Sequence, residues 1–190
     1  MLKDPGERTP APAPLRMVQA FVNTLDIENG IEELQIPKDL QDLLVRIGAL
    51  DEGAPPLGEV DLLRALDVRD ALRRLLLANN GIPVDPQALA ALEASARAAH
   101  LSLVFAPEGQ SSLAPQAPAL DGALGRILSV VHDSMAAGTW LRLKACRRDV
   151  CHWVFYDRSK NRSSTWCAMS VCGNRMKKKR AYRARRAARG

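Results

Sequence analysis

Apolar residues recur at three- and four-residue intervals along most of the chain from Leu15 to Ala137, and that spacing predicts helices. Leu15, Met17, Val18, Phe21, Val22 and Leu25 favour a first helix over residues 15–26, with a strand as the alternative, because Asn23 and Thr24 interrupt the stripe. Pro37 stands at a second helix start, followed by Leu40, Leu43, Leu44, Ile47 and Leu50, and Gly53-Ala54-Pro55-Pro56 closes the unit. The longest stripe covers residues 58–80, where Leu62, Ala65, Leu66, Val68, Leu72, Leu75 and Leu76 share one broad face and Asn79-Asn80-Gly81 supplies the stop. Asp85 as cap and Pro86 in the first turn begin a fourth helix with Leu89, Leu92, Ala96 and Ala99 inward. Residues 101–105 are short, apolar and bounded by Pro107 and Gly109, which reads as a strand paired with residues 111–114 in a hairpin. Helical spacing returns over residues 118–137 through Leu120, Leu124, Ile127, Leu128, Val131 and Met135, ending at Gly138.

The expected fold is therefore mainly α. A mobile lead-in of residues 1–14, rich in proline, precedes a helical domain with a small β-hairpin over residues 15–139. Composition agrees: 47% of the 190 residues are hydrophobic but only 4% aromatic, which disfavours a sandwich or barrel, and the length holds one ordinary core plus a small appendage. No apolar run approaches the roughly 18 residues that cross a bilayer, and no apolar signal region follows Met1. A cytoplasmic protein with no membrane partner is the expectation.

Charge separates the last segment from the rest. Residues 1–140 hold 11 Lys+Arg against 19 Asp+Glu, a net of −8, whereas residues 141–190 hold 16 against 2, a net of +14. A module so cationic repels itself unless a polyanion neutralises it. All four cysteines lie there too, as Cys146-x4-Cys151-x15-Cys167-x4-Cys172. Two close pairs separated by a loop can each turn two sulfurs toward one centre, and four thiolates suit one structural zinc in a closed tetrahedral site. A segment this short cannot bury a core unaided, so metal binding would supply its folding free energy. Two disulfides or four free thiols are the alternative, and disulfides need an oxidising compartment. His152 follows Cys151 and is expected to be exposed or phosphate-facing, not a ligand.

These residues match a known pattern. Cys146-Arg147-Arg148-Asp149-Val150-Cys151, then Trp153-Val154-Phe155-Tyr156-Asp157-Arg158-Ser159-Lys160-Asn161-Arg162-Ser163, Trp166-Cys167-Ala168-Met169 and Cys172-Gly173-Asn174-Arg175 resemble the CGNR zinc-finger family of bacterial regulators. Upstream, Phe21-Val22-Asn23-Thr24-Leu25-Asp26 and Leu66-Asp67-Val68-Arg69-Asp70-Ala71-Leu72 resemble the helical ABATE domain that precedes this finger. The resemblance implies a stress-responsive transcription regulator whose finger binds DNA. One departure stands out: Ser164 and Thr165 occupy positions where the family commonly carries basic residues.

The residues read alone point the same way. Arg158, Lys160 and Arg162 alternate with small polar residues in the long loop and are expected to clamp phosphates. The tail from Asn174 to Arg189 is rich in Ala, Lys and Arg and suits a major-groove helix, with Asn174 and Arg175 as base-edge candidates. Lys177, Lys178, Lys179, Arg180, Arg183, Arg185 and Arg186 would meet phosphate or line the helix. A solvated charge run is the bland alternative for this tail. RNA is the rival ligand, through stacking on Trp153, Phe155 and Trp166, and a zinc-stabilised protein-interaction module is a third reading. No phosphate loop, His-Glu metal motif or cysteine nucleophile outside the finger argues for an enzyme.

In the helical part Asn23 and Arg69 break apolar stripes. A structural pair, such as Arg69 with Asp26, is the leading expectation, and binding of a small-molecule effector is the alternative. His100 reads as a helix C-terminal cap and His132 as a solvent-facing residue. A homodimer presenting two fingers to DNA completes the expected picture.

Overall fold

The computed structural model describes residues 8–187. Six helices carry it: α1 (Leu15–Val22), α2 (Pro37–Arg46), α3 (Glu59–Ala78), α4 (Pro86–Ala98), α5 (Ala119–Ala136) and α6 (Asn174–Ala187). Three antiparallel strand pairs connect them: β1 (Leu25–Asp26) with β2 (Ile31–Glu32), β3 (Ser102–Phe105) with β4 (Ser111–Ala114), and β5 (Leu143–Ala145) with β6 (Val154–Tyr156). The helix starts follow from local chemistry. Pro37 and Pro86 occupy first turns, Asp85 accepts from the Gln87 amide, and Asp39 and Asp61 reach back to the amides of Ile36 and Gly58.

Helices α1, α3, α4 and α5 pack around one core in which Phe21, Leu72, Leu76, Leu120, Leu124 and Ile127 are fully enclosed, and α2 adds Leu40, Leu43 and Leu44. Gly125 permits a close approach, since a Cβ there would lie 2.7 Å from the side chains of Ala99 and Pro115. The β3–β4 hairpin stands where the sequence places it, paired in register from Ser102↔Ala114 to Phe105↔Ser111, with β3 wholly exposed.

Four expectations need correction. The first helix stops at Val22, and Leu25–Asp26 pairs with Ile31–Glu32 as a short strand. The reason is tertiary: the buried Arg73 guanidinium on α3 takes the carbonyls of Val22 and Leu25, so these oxygens accept from α3 and do not continue the helical ladder. On α4, Ala88 rather than Leu89 faces the core, and Met135 at the end of α5 is likewise exposed. The mobile lead-in expected over residues 1–14 is anchored from residue 8 onward. Ala11 is fully buried with its amide on Gln19 Oε1 at 2.7 Å, and Arg8 lies 4.7 Å over the Phe155 ring while donating to the Trp166 carbonyl. Residues 1–7 lie outside the described residues. Finally, Arg69 pairs with Glu32 at 2.7 Å and with Asp70, not with Asp26, whose carboxylate caps Asn29 instead.

The β5–β6 hairpin decides how the last segment sits. Side chains alternate across a strand, so Val154 and Tyr156, with Leu143 and Ala145, join the helical core, while Trp153 and Phe155 turn into a second, smaller core with the four cysteines. One hairpin thus belongs to both cores.

Candidate metal centre and basic helix

Cys146 follows β5 directly, and its amide donates to the Trp153 carbonyl at 2.9 Å, which extends the hairpin ladder and fixes the first cysteine. Cys151 closes a turn through its amide on the Arg148 carbonyl. On the far side of the loop, Cys172 lies in a π-helical turn (Met169–Gly173) that runs straight into α6. The long loop between the pairs is organised from within. Lys144, buried, donates to Asp157 Oδ2 at 2.9 Å and to the carbonyls of Arg162 and Ser164, while Asp157 accepts the amides of Ser159 and Ser164. Burial pushes the Asp157 carboxyl up, but the Lys144 ammonium and these amides outweigh it and hold it below the usual carboxylate range.

All four cysteines are buried free thiols, and their sulfurs lie within 4.8 Å of one another. Tetrahedral zinc with Zn–S bonds of about 2.3 Å spaces its sulfurs about 3.8 Å apart. The Cys151–Cys167 and Cys167–Cys172 separations are 3.7 and 3.6 Å. The donor set therefore fits one structural zinc, with all four positions filled by protein and none left for water or substrate. Thiol chemistry agrees. Hydrogen bonds from Cys151 and Cys167 hold Cys146 far below the ordinary thiol range, and those two, donating to it, are pushed up. Four thiols this close cannot all ionise without a cation between them. Arg148 donates to the Cys172 sulfur at 3.7 Å and adds positive charge beside it. His152 stays outside the cluster, half-buried and with a positive φ of 49°. Burial and the nearby Arg73 hold its imidazole below the ordinary value.

The expected nucleic-acid contacts divide into groups. Lys160, Arg162, Lys177, Lys178, Lys179 and Arg186 are exposed. Arg158 is exposed but donates to the Pro10 carbonyl and lies 5.4 Å over Tyr156. Asn174 opens α6 with its amide on the Ser170 carbonyl, and Arg175 is engaged by Glu28. The side chains of Arg180 and Arg183 lie outside the described residues. Trp153 and Phe155 are buried in the zinc core, and Trp166 is half-buried against it. Asn23 exchanges two hydrogen bonds with Val154, and Arg69 is 2% exposed and shared among Glu32, Asp70 and Thr24.

Three structural contributors escape the sequence reading. Asn79 holds the carbonyls of Trp140 and Leu143, and Asn80 those of Ala145 and Thr165, so the residues read as a helix stop pin both arms of the zinc module to α3. Lys144–Asp157 is the second. The third is Glu28, in the β1–β2 turn, which clasps Arg148 and Arg175 together. Asn29-Gly30, with Gly30 at φ 65°, is the hairpin signal that could have revealed this turn.

A helical domain carrying a four-cysteine structural zinc finger is the class these features define. A family model for ABATE, described as "Putative stress-induced transcription regulator", matches residues 15–141, and one for the CGNR zinc finger matches residues 142–186. The chain belongs to the ABATE family and carries a C-terminal CGNR zinc finger. No curated protein sequence matches it. No helix among the described residues is long and apolar enough to cross a membrane.

Proposed function

We propose that the chain is a DNA-binding transcription regulator in which one structural zinc sets the attitude of a cationic helix and the helical domain governs its presentation. The observation that carries this reading is the continuity of Cys172 with α6: the fourth ligand sits in the π turn that becomes the helix, so fastening the thiolates fastens the helix start. That helix contains no acidic residue. Arg175, Lys177 and Lys178 line a shallow groove with Ser170 and Asn174 at its beginning, where a duplex edge would meet them. Lys160 and Arg162 extend the cationic surface along the loop held by Asp157. Burial of Trp153 and Phe155 withdraws two of the three aromatic faces on which single-stranded RNA would stack.

Metal analysis combined with a salt series tests the reading. One zinc per chain is expected, together with duplex binding whose log K falls with log salt at a slope near −5 if about six phosphates are neutralised. Absence of stoichiometric zinc, or stronger binding to single-stranded RNA than to duplex, would overturn it.

A further inference from the structure

Where α1, the end of α2 and the anchored lead-in meet the zinc module, a cavity of about 540 Å³ opens to the surface. That size is within the range of small-molecule sites. Its wall is largely apolar, built from Ala13, Pro14, Met17, Ala20, Ile47 and Trp153. The two amides that line it, Gln19 and Asn23, spend hydrogen bonds on Ala11 and Val154. Among the described residues, the charged ones on the wall are all arginines: Arg8, Arg16 and Arg46.

Arg8 is engaged with Phe155 and Trp166, but Arg16 and Arg46 are exposed and make no ion pair or side-chain hydrogen bond among the described residues. Arg16 also stands in the first turn of α1, a turn without any acidic residue. A cation at the positive end of a helix dipole is unfavourable, and an anion held there would offset it. Two unpartnered guanidiniums above an apolar wall are complementary to one kind of molecule.

We infer that this cavity binds a small apolar acid, with its hydrocarbon or aromatic body against Met17, Ala20, Ile47 and Trp153 and its carboxylate between Arg16 and Arg46. The inference supplies a site and a ligand class for the control exerted by the helical domain, and rests on the regulator reading for that consequence alone. The geometry makes the link short. Asn23 lines the cavity and holds both the amide and the carbonyl of Val154 on β6, so one side chain links the cavity to the strand that carries the zinc core.

The test uses the full zinc-loaded chain and 8-anilinonaphthalene-1-sulfonate, an anionic apolar fluorophore, displaced by decanoate or by decanol. The two competitors share an apolar body and differ in charge. Saturable fluorescence at one site is expected, with decanoate displacing the probe at least tenfold more effectively than decanol. Arg16→Gln combined with Arg46→Gln should weaken decanoate at least tenfold with zinc content and circular dichroism unchanged, since both side chains are exposed. Ala20→Trp, which fills the cavity, should abolish probe binding. Non-saturable fluorescence, equal competition by decanol, or an unaltered double variant would overturn the inference. Duplex binding of the same samples separates the two readings. For the wild-type chain, absence of saturable probe binding with intact DNA affinity sinks this inference alone, and saturable probe binding without DNA affinity sinks the regulator reading.

Discussion

Glu28 stands 120 residues before Arg148 and 147 before Arg175 in the chain, yet pairs with both. The Arg148 hydrogen bond holds its carboxyl below the ordinary range despite some burial, so near neutral pH it remains a charged competitor for the residue expected to read a base edge. Glu28→Gln should free Arg175 and remove a negative charge beside the proposed DNA face, raising duplex affinity roughly three- to tenfold, a gain that fluorescence anisotropy would show shrinking at high salt. Asp157 makes a different prediction. Replacing it by Asn leaves the Lys144 ammonium buried without its counter-charge and should cost about 3–5 kcal/mol in chemical denaturation. Because the folded-state carboxyl is depressed, its contribution is fully present above the unfolded value of about 3.9 and is lost as pH falls toward the folded one. The stability gap between wild type and Asp157→Asn should therefore be constant from pH 7 to about 5 and narrow below about pH 4. Thiolate protonation in the zinc site affects both chains, so the difference isolates Asp157.

Among the elements, the β5–β6 hairpin carries the most consequence because alternate residues serve two cores. Removing zinc with a strong chelator should unfold the finger and also lower the melting temperature of the helical part, by about 2–4 °C for each kcal/mol of packing lost. A melting transition of the helical part indifferent to chelation would show the cores to be independent. Asn80→Ala should cost about 1–3 kcal/mol, since one amide satisfies the Ala145 and Thr165 carbonyls at once. The elements also show what a sequence makes legible. The stripe from Leu62 to Leu76 and the Pro37 and Pro86 starts were readable because helical period and first-turn chemistry are local. Leu89 lies outside the core because the helix turns Ala88 inward, a rotation of one position that composition cannot rank. The helical spacing that runs on to Leu25–Asp26 misleads because the guanidinium that intercepts this backbone comes from α3, far along the chain.

At the scale of the whole molecule, the helical part and the zinc module share a surface that is structural before it is regulatory. Deleting residues 141–190 should abolish duplex binding, and it should also strip Leu143, Ala145, Val154 and Tyr156 from the main core. The truncated chain is then expected to aggregate or bind apolar dyes non-specifically, so loss of DNA affinity in it would say little. Cys172→Ser in the full chain is the cleaner variant, and it should lower zinc affinity and duplex affinity together.

From its residues in order, this chain already determined a helical body, a hairpin, four thiol ligands for one metal and a cationic end, because each of these rests on spacing, ligand chemistry or charge within a short window. Tertiary structure alone decided that Glu28 clasps Arg175, that Asn79 and Asn80 hold the finger, that Arg69 answers to Glu32, and that Arg8 lies over Phe155 of the zinc core. Those contacts join residues far apart in sequence, and no local period encodes which distant partner a buried polar group will find when its hydrogen bonds must be satisfied.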